Sequence, residues 1–200
     1  ENRYLDQSAN IKPGIEKLNL YAAVDGKLAG YFTYSVKGYL KKVENQLMYF
    51  APENGAYFQM VYDTNFRQSG AQVSLGFNKD DKIMAGIRAE YRGFKTEGQP
   101  YYFGMPKTKV DFYAGYNFAD KVLASAEVYV LGNRTMTIDS LGNPINESAV
   151  ADVNLAAEYR FSKRISLFLN LNNLLGSKYS RWYNYQVRPF DVKGGVTLAF

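Results

Sequence analysis

Apolar and polar side chains alternate along segments of about ten residues, and this period of two recurs over most of the 200-residue chain. In 28–41, Leu28, Gly30, Phe32, Tyr34, Val36, Gly38 and Leu40 share one parity. Tyr31, Thr33, Ser35, Lys37, Tyr39 and Lys41 share the other. Successive side chains of a strand point to opposite faces, so each segment reads as a two-faced strand. The same split marks 82–92, 109–118, 121–133, 152–161 and 165–172, with shorter copies at 17–24, 71–77 and 190–200. Helical spacing is sustained nowhere. The pattern predicts an all-β fold of about nine to ten strands, without a domain linker. Asp25-Gly26, Asn78-Lys79-Asp80-Asp81, Ala119-Asp120 and Ser162-Lys163 read as tight hairpin turns. Longer links rich in Gly, Pro, Asn and aromatics lie near 42–56, 97–106, 134–148 and 174–189, so the strands form an up-and-down antiparallel meander.

The chain has no His and no Cys. That excludes an imidazole base, a thiolate nucleophile, a disulfide and the usual His/Cys zinc site; no enzyme activity, cofactor or metal is expected. Lys and Arg exceed Asp and Glu by 24 to 19, but the charges interleave and form no basic tract, so no nucleic-acid partner is expected. No apolar run approaches the length of a membrane-spanning helix. The start, Glu1-Asn2-Arg3, lacks a signal-peptide core, which predicts a removed leader or a piece of a longer chain.

Alternation also suits a water-soluble barrel with a greasy interior, so the solvent on each side is the open question. The apolar face here mixes large residues with many Ala and Gly. The other face carries Tyr31, Tyr39, Tyr113 and Tyr129 besides charge. This points to a lipid-facing belt around a polar lumen, as in a transmembrane-type β-barrel. Aromatics at Tyr49-Phe50, Tyr57-Phe58, Tyr101-Tyr102-Phe103 and Trp182-Tyr183 read as rings at headgroup level. In the last strand, Lys193, Gly195, Leu198 and Phe200 follow the order polar, glycine, hydrophobic, aromatic, which resembles the terminal signal read by the machinery that assembles bacterial outer-membrane barrels.

Three stretches extend that likeness. Asn10-Ile11-Lys12-Pro13-Gly14 before the strand from Ile15 is similar to an N-x-x-L-K-P-E segment, with Gly14 where Glu is usual. Tyr62-Asp63-Thr64-Asn65 with Gly70-Ala71-Gln72 resembles a y-x-N … a-x-x-x-G-x-E stretch lacking its last acidic residue. Leu169-Asn170-Leu171-Asn172-Asn173-Leu174-Leu175-Gly176-Ser177-Lys178-Tyr179, then Tyr185, Arg188-Pro189 and the final strand, resembles a v-x-N-L-f-n-k-x-Y … y … p-x-R … F ending. From about residue 10 onward the chain thus resembles the C-terminal part of the barrel of a TonB-dependent outer-membrane receptor of the sort common in Bacteroidetes. The resemblance implies residence in the bacterial outer membrane and contact with its lipid and with the barrel assembly machinery. It also implies uptake of a substrate such as a siderophore, vitamin or glycan, driven by the TonB energy system through a plug domain. Such receptors have barrels of roughly 22 strands, and 200 residues would leave about nine for each, against the ~9–11 a spanning strand needs. The expectation is therefore one barrel segment over 1–200, part of a larger barrel, with no plug.

Within that frame Arg88, Glu90, Arg92, Lys109, Asp111, Glu127, Glu158 and Arg160 share the lumen parity. They either line a path and dock a plug, or satisfy one another in a polar interior. Tyr179, Trp182, Tyr183 and Tyr185 either stack on a ligand or pack as an interfacial loop. Asn172-Asn173 reads as a strand-exit turn. Two other readings remain: a small soluble lipocalin-like barrel holding an apolar ligand, and a stand-alone structural outer-membrane barrel.

Overall fold

A computed structural model describes residues 12–51 and 59–199. In chain order the strands are β1 (Ile15–Leu28), β2 (Phe32–Glu44), β3 (Gln46–Phe50), β4 (Gln59–Asp63), β5 (Phe66–Lys79), β6 (Ile83–Lys95), β7 (Thr108–Phe118), β8 (Val122–Leu131), β9 (Arg134–Ile138), β10 (Pro144–Glu147), β11 (Val150–Arg160), β12 (Ile165–Asn172), β13 (Ser180–Trp182), β14 (Tyr185–Gln186) and β15 (Asp191–Leu198). Nine of them form a single antiparallel sheet in the order β1-β2-β5-β6-β7-β8-β11-β12-β15, the expected meander. The outer edges of β1 and β15 carry no paired strand among the described residues.

Short turns close one end of the sheet. Asp80 and Asp81 have φ of 53° and 52°, and Ala119 and Asp120 have 51° and 55°. Two consecutive left-handed residues match the right-handed twist of the strands they join. Asn78 and Asn117 brace these turns through side-chain hydrogen bonds to Asp81 and Asp120. The first turn is not at Asp25-Gly26 but at Ala29-Gly30, with φ of 49° and 72°. Asp25 and Gly26 sit inside β1, opposite Ser35 and Tyr34. There the Tyr34 ring covers Gly26 where a Cβ would stand, and the aromatic cover lets glycine persist in a strand.

Register carries the two-faced pattern across the whole sheet. Tyr34, Leu75, Ile87, Phe112, Val128 and Val153 form one continuous cross-strand row, and Ser35, Ser74, Arg88, Asp111, Tyr129 and Asp152 form the next row, on the other face. Among the described residues none packs over the apolar face: Ile87, Leu155 and Leu169 remain 40%, 39% and 46% exposed. Between the row of Leu40, Ser69 and Gly93 and the short-turn end at Phe32, Phe77 and Ile83, no outward position on β2, β5 or β6 carries a charge. Burying each large apolar side chain contributes ~1.5–3 kcal/mol, so water is the wrong solvent for this surface.

Glycine also shapes the polar face. A Cβ on Gly86 would stand 2.5 Å from the Tyr113 ring. Gly86→Leu is expected to lift that ring and destabilise the barrel by ~1–3 kcal/mol, the usual cost of overpacking. Urea unfolding in detergent checks this, and an unchanged midpoint would contradict the packing described.

The buried apolar side chains gather at one end of the sheet and in the connections beyond it. Val43, Met48, Phe66, Phe103, Leu131, Met136 and Tyr179 all lie at the long-connection end. The connections there are not bare loops: β3–β4, β9–β10 and β13–β14 are hairpins that rise beyond the sheet. They knit together through Thr137 donating to the Ala51 carbonyl, Gly104 N–H to the Thr135 carbonyl at 2.8 Å, and Tyr49 edge-on to Trp182. The aromatics expected at headgroup level serve this roof instead. Phe103 is buried, and Phe66, Phe94 and Tyr102 stack in series with centroids 5.9 and 4.7 Å apart. Tyr57 and Phe58 lie outside the described residues. The outward aromatic belt is at the other end, where Phe32, Phe77, Tyr116, Phe118, Tyr159 and Phe161 ring the short turns.

Candidate functional site

Asp63, fully buried at the end of β4, fastens the roof to the sheet. Its carboxylate accepts the backbone N–H groups of Asn65, Glu97, Gly98 and Gln99 at 2.8–3.1 Å, joining the β4–β5 corner to the segment after β6. Four amides converging on one buried carboxyl group satisfy its acceptor oxygens from the backbone alone. Asp63→Ala is expected to remove ~2–3 kcal/mol of local stability. It should raise hydrogen exchange over 96–100 while leaving β6 and β7 protected; unchanged exchange there would contradict this role.

Arg134 opens β9 with its side chain 5% exposed. Its Nε and Nη2 both donate to Glu147 on the paired strand β10, and Nη2 also donates to the Ser180 carbonyl at 2.7 Å. Glu147 in turn accepts the Ser180 N–H at 2.6 Å. The ion pair therefore clamps β13 onto the β9–β10 hairpin. Next to it the Tyr179 hydroxyl donates to Asp152 at 2.9 Å. Burial first, and this hydrogen bond second, push the Tyr179 hydroxyl up to about 12, so it keeps its proton through the physiological range.

Between the roof and the polar face open two adjoining clefts of about 500 and 540 Å³. They share Asp152 and Asn154 from β11 with Tyr179, Arg181 and Trp182 from above. Arg181 is exposed, and one Asp152 oxygen has no hydrogen-bond partner among the described residues. The clefts thus offer both charge signs, amide groups and an indole face, a set suited to binding a polar solute rather than to bond-making chemistry. Asn173 floors one cleft with φ of 50°, and its side chain bonds Ser177 and the Arg188 carbonyl, which makes it a strand-exit turn.

No family model and no curated protein matches the sequence. Solved structures do. The ferric enterobactin receptor of Pseudomonas aeruginosa superposes with a TM-score of 0.69 at 14% identity, over 91% of this chain and 31% of that one. The iron transporter FrpB of Neisseria meningitidis gives 0.69 at 13%, over 91% and 30%. The copper transporter OprC gives 0.72 at 13%, over 99% and 34%. The fold is that of a TonB-dependent receptor barrel. The chain spans about a third of the length of these receptors. They are described as a receptor and two transporters.

In this sheet the eight charged residues of lumen parity do share one face, but they do not form one constellation. Arg88 stands opposite Asp111, and Glu90 opposite Lys109. Glu90 accepts the Tyr39 hydroxyl at 2.8 Å. Arg92 lies over the Phe94 ring at 5.7 Å, with Nε and Nη2 unbonded among the described residues. Glu127 reaches a cleft. Glu158 and Arg160 pair with each other at 3.4 Å near the short turns, far from the roof. Of the aromatic loop, Tyr179 is a buried anchor, Trp182 lines both clefts, Tyr185 lines one, and Tyr183 lines neither. Lys193 and Gly195 lie on the polar face, with Gly195 under the Phe168 ring, whereas Leu198 lies on the apolar face beside Ile165; Phe200 lies outside the described residues. Sequence reading missed Arg134, Glu147, Asp152 and Arg181. Arg134 meets Glu147 across its own hairpin and Ser180 46 residues on, and Asp152 meets Tyr179 27 residues on; no spacing rule signals such contacts.

Proposed function

We propose that this chain is the C-terminal barrel segment of a longer outer-membrane receptor, which admits a substrate when the TonB system pulls on a plug held elsewhere in that chain. The observation that carries the reading is the charge-free outward band on one face of the sheet, opposed to a polar face roofed by ordered hairpins. Short turns then face the periplasm and the roofed end the exterior. The edges of β1 and β15, unpaired among the described residues, suit further strands of a larger barrel, since an exposed edge invites unwanted pairing. Bilayer lipid and the barrel assembly machinery are its partners on this reading.

The similar structures are a ferric enterobactin receptor, an iron transporter and a copper transporter. A metal chelate thus leads the candidate substrates here, ahead of a vitamin or glycan, and both charge signs in the clefts suit one. The test is accumulation of radiolabelled ferric siderophores, cobalamin and oligosaccharides by cells with and without the full-length gene. One substrate should depend on the gene and equally on TonB; uptake indifferent to both would refute the proposal.

A further inference from the structure

The outward face departs from its apolar rule in one row. Lys42, Arg67 and Lys95 are direct cross-strand neighbours on β2, β5 and β6, and all three have outward parity. Directly opposed side chains stand ~5 Å apart at Cβ, and like charges so placed repel. Arg67 alone has a carboxylate partner among the described residues, Glu97 at 3.4 Å. Toward the short turns the next two outward rows are Leu40, Ser69 and Gly93, then Gly38, Ala71 and Tyr91; between Leu40 and Tyr91 the small residues Gly93, Ser69, Ala71 and Gly38 leave a smooth diagonal patch, and Gly38 has nothing within 4 Å of its would-be Cβ. Depth is the second observation. From Phe77 in the aromatic belt to Arg67 is ten residues, about 33 Å of strand and about 23 Å of membrane normal at a tilt near 45°. That is close to the ~25 Å apolar band of outer-membrane barrels, so the three cations stand at the outer headgroup level.

We infer that Lys42, Arg67 and Lys95 form a site on the outer wall for the phosphate of an outer-leaflet lipid, whose acyl chain lies over the smooth patch beneath them. The inference rests on the membrane reading above. Phosphate relieves the repulsion within the row, and the missing side-chain bulk leaves room for a chain against the wall. Occupancy holds lipid at a defined position beside the β2–β6 wall.

The test uses the full-length receptor in mild detergent, loaded with a diphosphorylated glycolipid, with the same glycolipid dephosphorylated, or with inorganic phosphate, and read by native mass spectrometry. The phosphorylated lipid should be retained over the dephosphorylated one. Replacing Lys42, Arg67 and Lys95 together with Gln should lower its retention by about a hundredfold, at roughly fivefold per cation. Glu97→Gln, which frees Arg67, should raise retention and stands as an independent check if the triple variant folds poorly. Equal retention of both lipids, or displacement by inorganic phosphate at equal concentration, overturns the inference. Extraction of the native receptor into the aqueous phase, away from membranes, overturns the membrane reading itself and is distinguishable from either.

Discussion

Replacing Ile87 with Arg is expected to destabilise the folded receptor in a bilayer by about 2–4 kcal/mol, the cost of a cation near the midplane of a lipid-facing strand. Ile87 lies in the central outward row, with Leu75 on one side and Phe112 on the other. The neighbouring change Arg88→Gln, on the lumen face, should stay within about 1 kcal/mol, because a polar interior accepts either group. Urea titration of refolding into vesicles separates the two. In a water-soluble β-sandwich the order would be different: Ile87→Arg would bury a charge in a core and prevent folding outright, and no lipid would be needed for the native state.

Glu147→Ala should cost more locally, about 3–5 kcal/mol, since it strands the nearly buried guanidinium of Arg134 and leaves the Ser180 N–H without its acceptor. The β13–β14 hairpin should then leave the roof. Proteolytic nicking between residues 175 and 190 reports this, while β11 and β12 stay protected. The double replacement Arg134→Met with Glu147→Leu should restore most of the loss, because an apolar pair of similar volume leaves no charge unpaired. If the single variant is as resistant to nicking as the native protein, the clamp does not hold the roof.

The sheet was legible in the sequence because its cause is local. Parity alone assigns Val110, Phe112 and Ala114 to one face and Lys109, Asp111 and Tyr113 to the other, and hairpin registers preserve that assignment from strand to strand. Asp25-Gly26 misled because Asp-Gly is a strong turn signal, while the cover that Tyr34 gives Gly26 comes from the partner strand. The aromatics of 101–103 and Trp182-Tyr183 suggest a headgroup position for a similar reason, and the loop 179–185 leaves ligand stacking and interfacial packing both open. Their composition suits a headgroup belt, but Phe103 and Tyr179 are buried at the roof by contacts with residues distant in sequence. Asp63 shows the limit most plainly. It was noticed only as part of a motif, and its four backbone donors come mainly from a segment more than thirty residues on.

Nitroxide scanning decides the central claim. The chain has no cysteine of its own, so single Cys substitutions along 83–95 of the full-length receptor in vesicles can each carry one label. Labels at Ile83, Ile87 and Ala89 should collide with dissolved oxygen and be shielded from a water-soluble nickel chelate. Labels at Arg88, Glu90 and Arg92 should show the reverse. If the odd positions are sheltered from oxygen and lipid while the even ones face bulk water on the outside of the protein, the barrel is inside out with respect to this account, and no membrane-spanning receptor can be built from it.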